Sequence, residues 1–259
     1  MIKELRETIK FKYVIFNYVY TSLKQKYRRS MLGFVWSVIM PLLQNLIIGV
    51  VFYYLMRFNM PNYIVYLFAG IVFYNLLSAV ILQSPYIMLN NEGFIKKIYV
   101  PKLVFVLEIV FLETVNFLFV LSSLVILGII FKKLNFSLSF LFLPVPLAFS
   151  ILFLTGLATI ISIMSVYFRD MLHIVPVVMQ AVFFLTPVLY PMDIVPVRMQ
   201  TVIKWNPLYY YVELFRTPVL YNILPSFKYI VLCFLISLIV FFAGLYTLQK
   251  HNNKIIFKL

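Results

Sequence analysis

Apolar residues run through this chain in long blocks, separated by short clusters of charge. A membrane-spanning helix needs ~20 consecutive apolar residues. Six blocks come close to that length: 31–56, 63–83, 103–131, 140–168, 174–190 and 229–248. The third and fourth are long enough to tilt or to extend past a bilayer. The fifth is short and carries Thr186-Pro187 near its end. Before the first block, Leu5, Ile9, Val14 or Phe16, Tyr20, Leu23 and Tyr27 recur at near-helical spacing, against Lys3, Arg6, Lys10 and Lys12. The pattern predicts an amphipathic helix over 1–30, lying along a membrane interface; a generic surface anchor is the plainer reading. The predicted fold is therefore an all-α integral membrane protein, with an interface helix over 1–30 and a six-helix membrane domain over 31–259.

Two connections are too elaborate for simple turns. Residues 84–102 read SPYIMLNNEGFIKKIYVPK, broken by Asn90, Asn91 and Gly93, with Phe94 and Ile95 as an apolar pair between charges. Both a short helix offering that pair to a partner and a solvated loop fit this pattern. Residues 191–227 carry Pro191, Pro196, Pro207, Pro218 and Pro225, with half-apolar RMQTVIKW and LYYYVELF between them. Trp205 and Tyr209 to Tyr211 suit a membrane interface better than a solvated loop. This stretch predicts two short helices dipping into the outer interface.

Composition agrees with the pattern. Of 259 residues, 64% are hydrophobic and 12% charged, against about a quarter charged in soluble domains. The net charge of +14 sits beside the apolar blocks. It reads as a topology signal and as contact with anionic head groups, not as a nucleic-acid surface. With the N-terminus inside, the inner segments hold fifteen of the 22 Lys and Arg residues and the outer ones seven. Both termini are then expected in the cytoplasm. Cys233 stands alone, so neither a disulfide framework nor a cysteine metal site is expected. No cleavable leader is expected, because the first long block follows some thirty mixed residues.

The candidate chemistry is sparse. The seven glycines are far apart and none precedes a Lys-Ser or Lys-Thr pair, so no phosphate loop for ATP is expected. His173 and His251 lie in different segments, which argues against a metal site. Glu108 and Glu113 fall in the third block, and intramembrane carboxylates are functional candidates. Their spacing points them about 140° apart on a helix, which disfavours a joint acid–base pair. Glu108 is expected to meet an Arg or Lys of a neighbouring segment, and Glu113 an inter-helix hydrogen bond. Arg169-Asp170, at a turn, pairs with other segments or simply solvates a helix end.

The densest polar signal opens the first block. Lys24, Lys26, Arg28 and Arg29 form a basic collar before Leu32 and Gly33. Free N–H groups at a helix start accept an anion, so a phosphate or diphosphate head group fits there. A collar that only sets topology and meets bulk anionic lipid is the alternative. Deeper in that block lie Trp36, Gln44 and Asn45; Tyr66 and Tyr74 follow in the second block, and Phe183 and Phe184 in the fifth. Rings and amides along a conduit suit sugars, whose C–H faces stack on aromatic faces. Helix packing and lipid contact account for most of the rings.

Five pieces in order carry a family resemblance: KYRRSMLGFVWSVIMPLL, YLFAGIVFYNLL, NNEGFIKKIYVPKLV, SVYFRDMLHI with FFLTPVLYP, and WNPLYYYVELFR. Together they resemble the permeases of type-2 ABC transporters, in the polysaccharide-export branch. The resemblance implies a homodimer in the cytoplasmic (inner) membrane, bound to two ABC ATPase subunits that use ATP and Mg, with no cofactor on this chain. It implies export of a lipid-linked polysaccharide, such as O-antigen or teichoic acid. It also implies roles by position. The collar with Leu32 and Gly33 would receive the lipid diphosphate. Trp36, Gln44, Asn45, Tyr66, Tyr74, Phe183 and Phe184 would line the path. Asn91, Glu92, Gly93, Phe94, Ile95, Lys96 and Lys97 would meet the ATPase as a cytoplasmic gate or coupling helix, and two outer re-entrant helices would gate the far mouth. The tail after Gly244 departs from the pattern. Two other classes stay open: a polytopic membrane enzyme acting on lipid-linked sugars through Glu113, Asp170 or Asp193, and a passive channel.

Overall fold

The computed structural model describes residues 2–26, 33–56, 63–130 and 137–259. Arg28, Arg29 and Leu32 of the collar lie outside the described residues. Within them the chain is helical and no β-strand forms. The helices are α1 (Ile2–Lys10), α2 (Lys12–Lys26), α3 (Trp36–Met56), α4 (Tyr63–Gln83), α5 (Ile87–Asn90), α6 (Glu92–Lys97), α7 (Leu103–Ile130), α8 (Pro144–Tyr167), α9 (Met171–Phe184), α10 (Val197–Trp205), α11 (Pro207–Leu220) and α12 (Phe227–Lys258). Four stretches are long and apolar enough to cross a membrane: Tyr63–Asn90, Leu103–Ile126, Leu138–Tyr167 and Phe227–Lys258. Trp36–Phe52 and Met171–Phe184 are apolar but shorter. The protein is a multi-pass membrane protein, and these six stretches occupy the six apolar blocks of the sequence.

Helix α4 is the centre of the bundle. It is apolar on every side, as a helix buried all round must be, and most of it is closed from the surface. It packs against α3, α7, α8, α9 and α11. The most intimate pair is α8 with α12. A Cβ placed on Gly156 would lie 2.3 Å from the Val240 carbonyl oxygen, and one on Gly244 would lie 2.5 Å from the Gly156 carbonyl oxygen. Only glycine lets the two backbones come this close, which is how small residues drive helix association where lipid is as apolar as the side chains. Across the same seam Ser237 Oγ of α12 donates to the Phe149 carbonyl of α8 at 2.9 Å, and the Tyr211 hydroxyl of α11 hydrogen-bonds Ser237 Oγ at 2.6 Å.

Three expectations are corrected. The N-terminal segment is two helices, broken at Phe11, not one. Its buried face matches the expected stripe only in part: Val14 and Leu23 pack against Ile15, Val19 and Val104 of α7, while Ile9, Phe16 and Tyr20 point outward. Both faces of α2 are apolar, so periodicity alone could not choose between them. The fifth helix ends at Phe184, not at residue 190. Pro187 cannot continue it, and the carbonyls beyond are taken by side chains. Tyr63 Oη donates to Leu189 O (2.7 Å), and Tyr66 Oη lies 3.0 Å from Pro187 O and 2.9 Å from Tyr190 O. The last helix, α12, runs through the sixth block and on to Lys258.

The segment between α9 and α12 holds α10 and α11. Asn206 caps α11, its Oδ1 accepting from Leu208 N at 3.0 Å, and Pro207 occupies the first helical position, where it loses no bond. Past the end of α11, Asn222 has φ of 56°, a left-handed conformation that asparagine tolerates.

Candidate functional site

The two chain ends lie together at one end of the bundle. Asn252 of α12 joins them: Lys102 Nζ donates to its Oδ1 at 2.5 Å, and its Nδ2 donates to Glu4 Oε1 at 2.8 Å. Burial pushes the Lys102 ammonium below its usual range, partly opposed by Glu4. Tyr99 Oη donates to Glu7 Oε2 at 2.6 Å, and that bond raises the Tyr99 pKa. Helix α1 is therefore fastened to both α12 and the segment that follows α6.

Helix α6 stands out from this platform after a bend at Asn91, whose Nδ2 donates to the Ile87 carbonyl at 2.8 Å. Gly93 is exposed, and Lys96 and Lys97 face solvent. Glu92 pairs with Lys96 at 2.6 Å, and that hydrogen bond lowers the Glu92 pKa. Ile95 is turned into the core, 6% exposed, while Phe94 is 48% exposed. Of the apolar pair, only Phe94 is presented outward. Its ring edge meets Tyr18 of α2 at 6.4 Å, and Tyr18 in turn stacks on Phe105 of α7 at 6.3 Å. The N-terminal helices and α6 thus touch ring to ring.

At the end of α2, Lys24 and Lys26 are exposed. Lys26 Nζ donates to Asn116 Oδ1 of α7 at 3.4 Å. Asn116 Nδ2 donates to Glu113 Oε2 (3.1 Å), and Gln83 Nε2 donates to Glu113 Oε1 (2.8 Å). A polar chain therefore runs from the basic end of α2 across α7 to the end of α4. Glu108 accepts from Ser22 Oγ at 3.1 Å; its partner is a hydroxyl rather than the expected cation. Beside Lys26 opens a cleft of about 440 Å³, walled by Trp36, Met40 and Pro41 of α3 and by Asn116 and Val120 of α7. Gly33, just before it, has φ of +48°, which favours glycine over any residue with a Cβ.

The amides of α3 part ways. Gln44 faces outward, whereas Asn45 is 2% exposed and its Nδ2 has no hydrogen-bond partner among the described residues. A second cleft, of about 450 Å³, lies between α4 and α9. Tyr74 and Phe183 meet there edge to face at 5.2 Å, and Phe184 is exposed at its rim. Asn75, Ser78 and Gln180 line the same cleft; single polar residues in apolar runs carry no spacing signal that would mark them in the sequence.

At the opposite end of the bundle sits a residue that the charge count treated as a surface cation. Arg216 is fully buried, 0% exposed. Its guanidinium lies over the Tyr66 ring, 3.8 Å from the centroid. Nη1 donates to Tyr66 Oη (2.8 Å) and to Glu213 Oε1 (2.7 Å), and Nη2 to the Val188 carbonyl (3.4 Å). Gly70 makes the room: a Cβ there would lie 2.1 Å from Nη2. Tyr66 is accordingly enclosed in this junction of α4, α11 and the turn after α9. Asn206 Nδ2 adds a bond to Thr186 Oγ1 at 2.7 Å. Helix α10 buries Ile203, and its Lys204 carbonyl accepts from Tyr210 Oη of α11 at 2.9 Å, while Val197 and Trp205 are exposed.

Among the described residues no group of His, Cys, Asp and Glu could hold a metal ion. Asp170 and Asp193 stand apart from Glu113 on other elements. The described residues enclose two clefts, one walled by Trp36, Met40 and Asn116 and the other by Tyr74, Asn75, Gln180 and Phe183.

The ABC-2 type transporter family matches residues 14–220, and the chain belongs to that family. An O-antigen export system permease protein, RfbA, of Myxococcus xanthus is 30% identical over 192 residues, 74% of each chain. An RfbA of the same description from Klebsiella pneumoniae is 31% identical over 172 residues, 66% of each chain.

Proposed function

We propose that this chain is the transmembrane subunit of an ATP-driven exporter that moves a lipid-linked polysaccharide across the cytoplasmic membrane. The observation that carries the reading is the likeness to O-antigen export permeases along three quarters of the chain. Six spans, both termini in the cytoplasm, and a homodimer complete it. ATP and Mg belong to two partner ATPase subunits. The platform of α1, α2 and α6, with Phe94 outward, is the ATPase contact. Exposed apolar faces on α3 and α9 suit a second copy, and the glycan passes between the two. Lys24, Lys26, Arg28 and Arg29, with Leu32 and Gly33, receive the lipid diphosphate, and the cleft beside Lys26, walled by Trp36, Met40 and Pro41, takes the start of the apolar tail. Helices α10 and α11 re-enter the outer leaflet and close the far mouth.

Replacing Lys26, Arg28 and Arg29 together with glutamine is expected to lower surface polysaccharide at least tenfold while the ATPase still co-purifies. Quantifying cell-surface glycan beside a pull-down checks this. Full export by the triple variant removes the collar from the docking role.

A further inference from the structure

The cleft between α4 and α9 holds three polar side chains that helix packing does not use. Asn75 and Ser78 share one face of α4, and Gln180 faces them from α9 across about 450 Å³. No hydrogen bond joins any of the three side chains to another described residue, and Asn75 and Gln180 are exposed. Asn75 lies about 18 Å along α4 from Tyr63 and about 12 Å from Gln83, close to the middle of a hydrocarbon core ~30 Å thick. An unpaired amide facing lipid at that depth is strongly unfavourable. Two amides and a hydroxyl converging from different helices mark a space filled by water or by a polar ligand.

The walls narrow the ligand. Tyr74 Oη is already committed to the Met179 carbonyl at 3.1 Å, so Tyr74 offers its ring. Phe183 stands edge-on to it, and Phe184 edge-on to Phe183 at 5.5 Å. No lining residue is charged. Ring faces beside uncharged donors and acceptors match a pyranose, with its C–H face on a ring and its hydroxyls on the amides. A polyanion would meet no cation here, at the depth where its charge is most costly.

We propose that Asn75, Ser78 and Gln180 form a recognition strip for the hydroxyls of an uncharged polysaccharide, with Tyr74, Phe183 and Phe184 as its stacking wall. The inference rests on the exporter reading and narrows its cargo to a polymer of neutral repeats, with phosphate confined to the lipid-linked end.

The test uses the chain with its ATPase in lipid nanodiscs, probed by saturation-transfer NMR with maltohexaose and with a glycerol-phosphate hexamer. Maltohexaose is expected to bind, the anionic hexamer not. The variant Asn75→Leu, Ser78→Ala, Gln180→Leu should bind maltohexaose about tenfold more weakly, the loss of two or so hydrogen bonds. Equal affinity in the variant, or preference for the anionic hexamer, overturns the proposal. In cells, the variant should lose surface polysaccharide with dimer and ATPase association intact. If a deletion strain loses the polymer but the variant exports fully, the strip is overturned and the exporter reading stands. If the deletion strain keeps its polymer, the exporter reading itself falls. Loss of the dimer in the variant assigns the amides to the contact between copies and overturns the glycan site. Single Asn75→Cys and Gln180→Cys probes give a readout that leaves the other cleft residues in place, since Cys233 is fully buried. Both should react with a water-soluble maleimide, and no labelling at either overturns the proposal.

Discussion

Arg216→Ala destabilises the folded chain by about 3–5 kcal/mol, the usual result of removing one partner from a buried ion pair. Three groups lose their partner at once. The Glu213 carboxylate, whose side chain is 19% exposed in the intact pair, is left unpaired, and the Tyr66 hydroxyl and Val188 carbonyl lose their donor. Gly70→Ala should reproduce much of the effect without removing the charge, because its new Cβ would lie 2.1 Å from Nη2 and displace the guanidinium. Thermal unfolding of the detergent-solubilised chain measures both, and a double-mutant cycle of Arg216→Ala with Tyr66→Phe should show strong non-additivity. Additive effects would mean that the stacked pair is not an energetic unit.

The second large effect concerns α8 and α12. Gly156→Ala and Gly244→Ala should each cost about 1–3 kcal/mol, the usual range for overpacking, and valine more. In both cases the new atom meets backbone, at 2.3 Å and 2.5 Å, so no side chain can swing aside and the helices must separate. Gly49→Ala is the control: its nearest neighbour is Phe68 Cε2 at 3.7 Å, an ordinary contact, and stability should hold. Unfolding midpoints of the three variants decide the matter. Equal losses at Gly49 and Gly244 would contradict the close approach.

Much of the fold was legible because long apolar blocks have only one use in lipid, where the backbone must satisfy itself. The ends and faces of helices were less so. Phe16 and Tyr20 looked like an inner stripe, yet Ile15 and Val19 are buried, since α2 is apolar on both sides. The end of α9 has no local sign beyond Pro187, because the carbonyls that follow the helix are taken by Tyr63 and Tyr66, over a hundred residues away.

Local signals in the sequence point to Lys24 and Lys26 at the end of α2, to the bend at Asn91 and to the rings Tyr74 and Phe183, which the structure brings edge to face. Arg216 gave no local sign, because its burial depends on Gly70 and Tyr66 lying across from it. Asn75 and Gln180 were silent for the same reason: each is one amide in an apolar run, and only packing of α4 on α9 makes them a pair. Gln44 and Asn45, adjacent in sequence, necessarily point apart on a helix, and one faces outward while the other is buried.

The central claim is that this chain forms the membrane path of an exporter powered by a separate ATPase. Reconstitution into vesicles, with and without that ATPase, and with polyprenyl-diphosphate-linked polysaccharide supplied on the outside, tests it most directly. The account predicts polysaccharide protected inside the vesicles only when this chain, the ATPase and hydrolysable ATP are all present. Protection without the ATPase, or chemical conversion of the lipid-linked sugar by this chain alone, would contradict it.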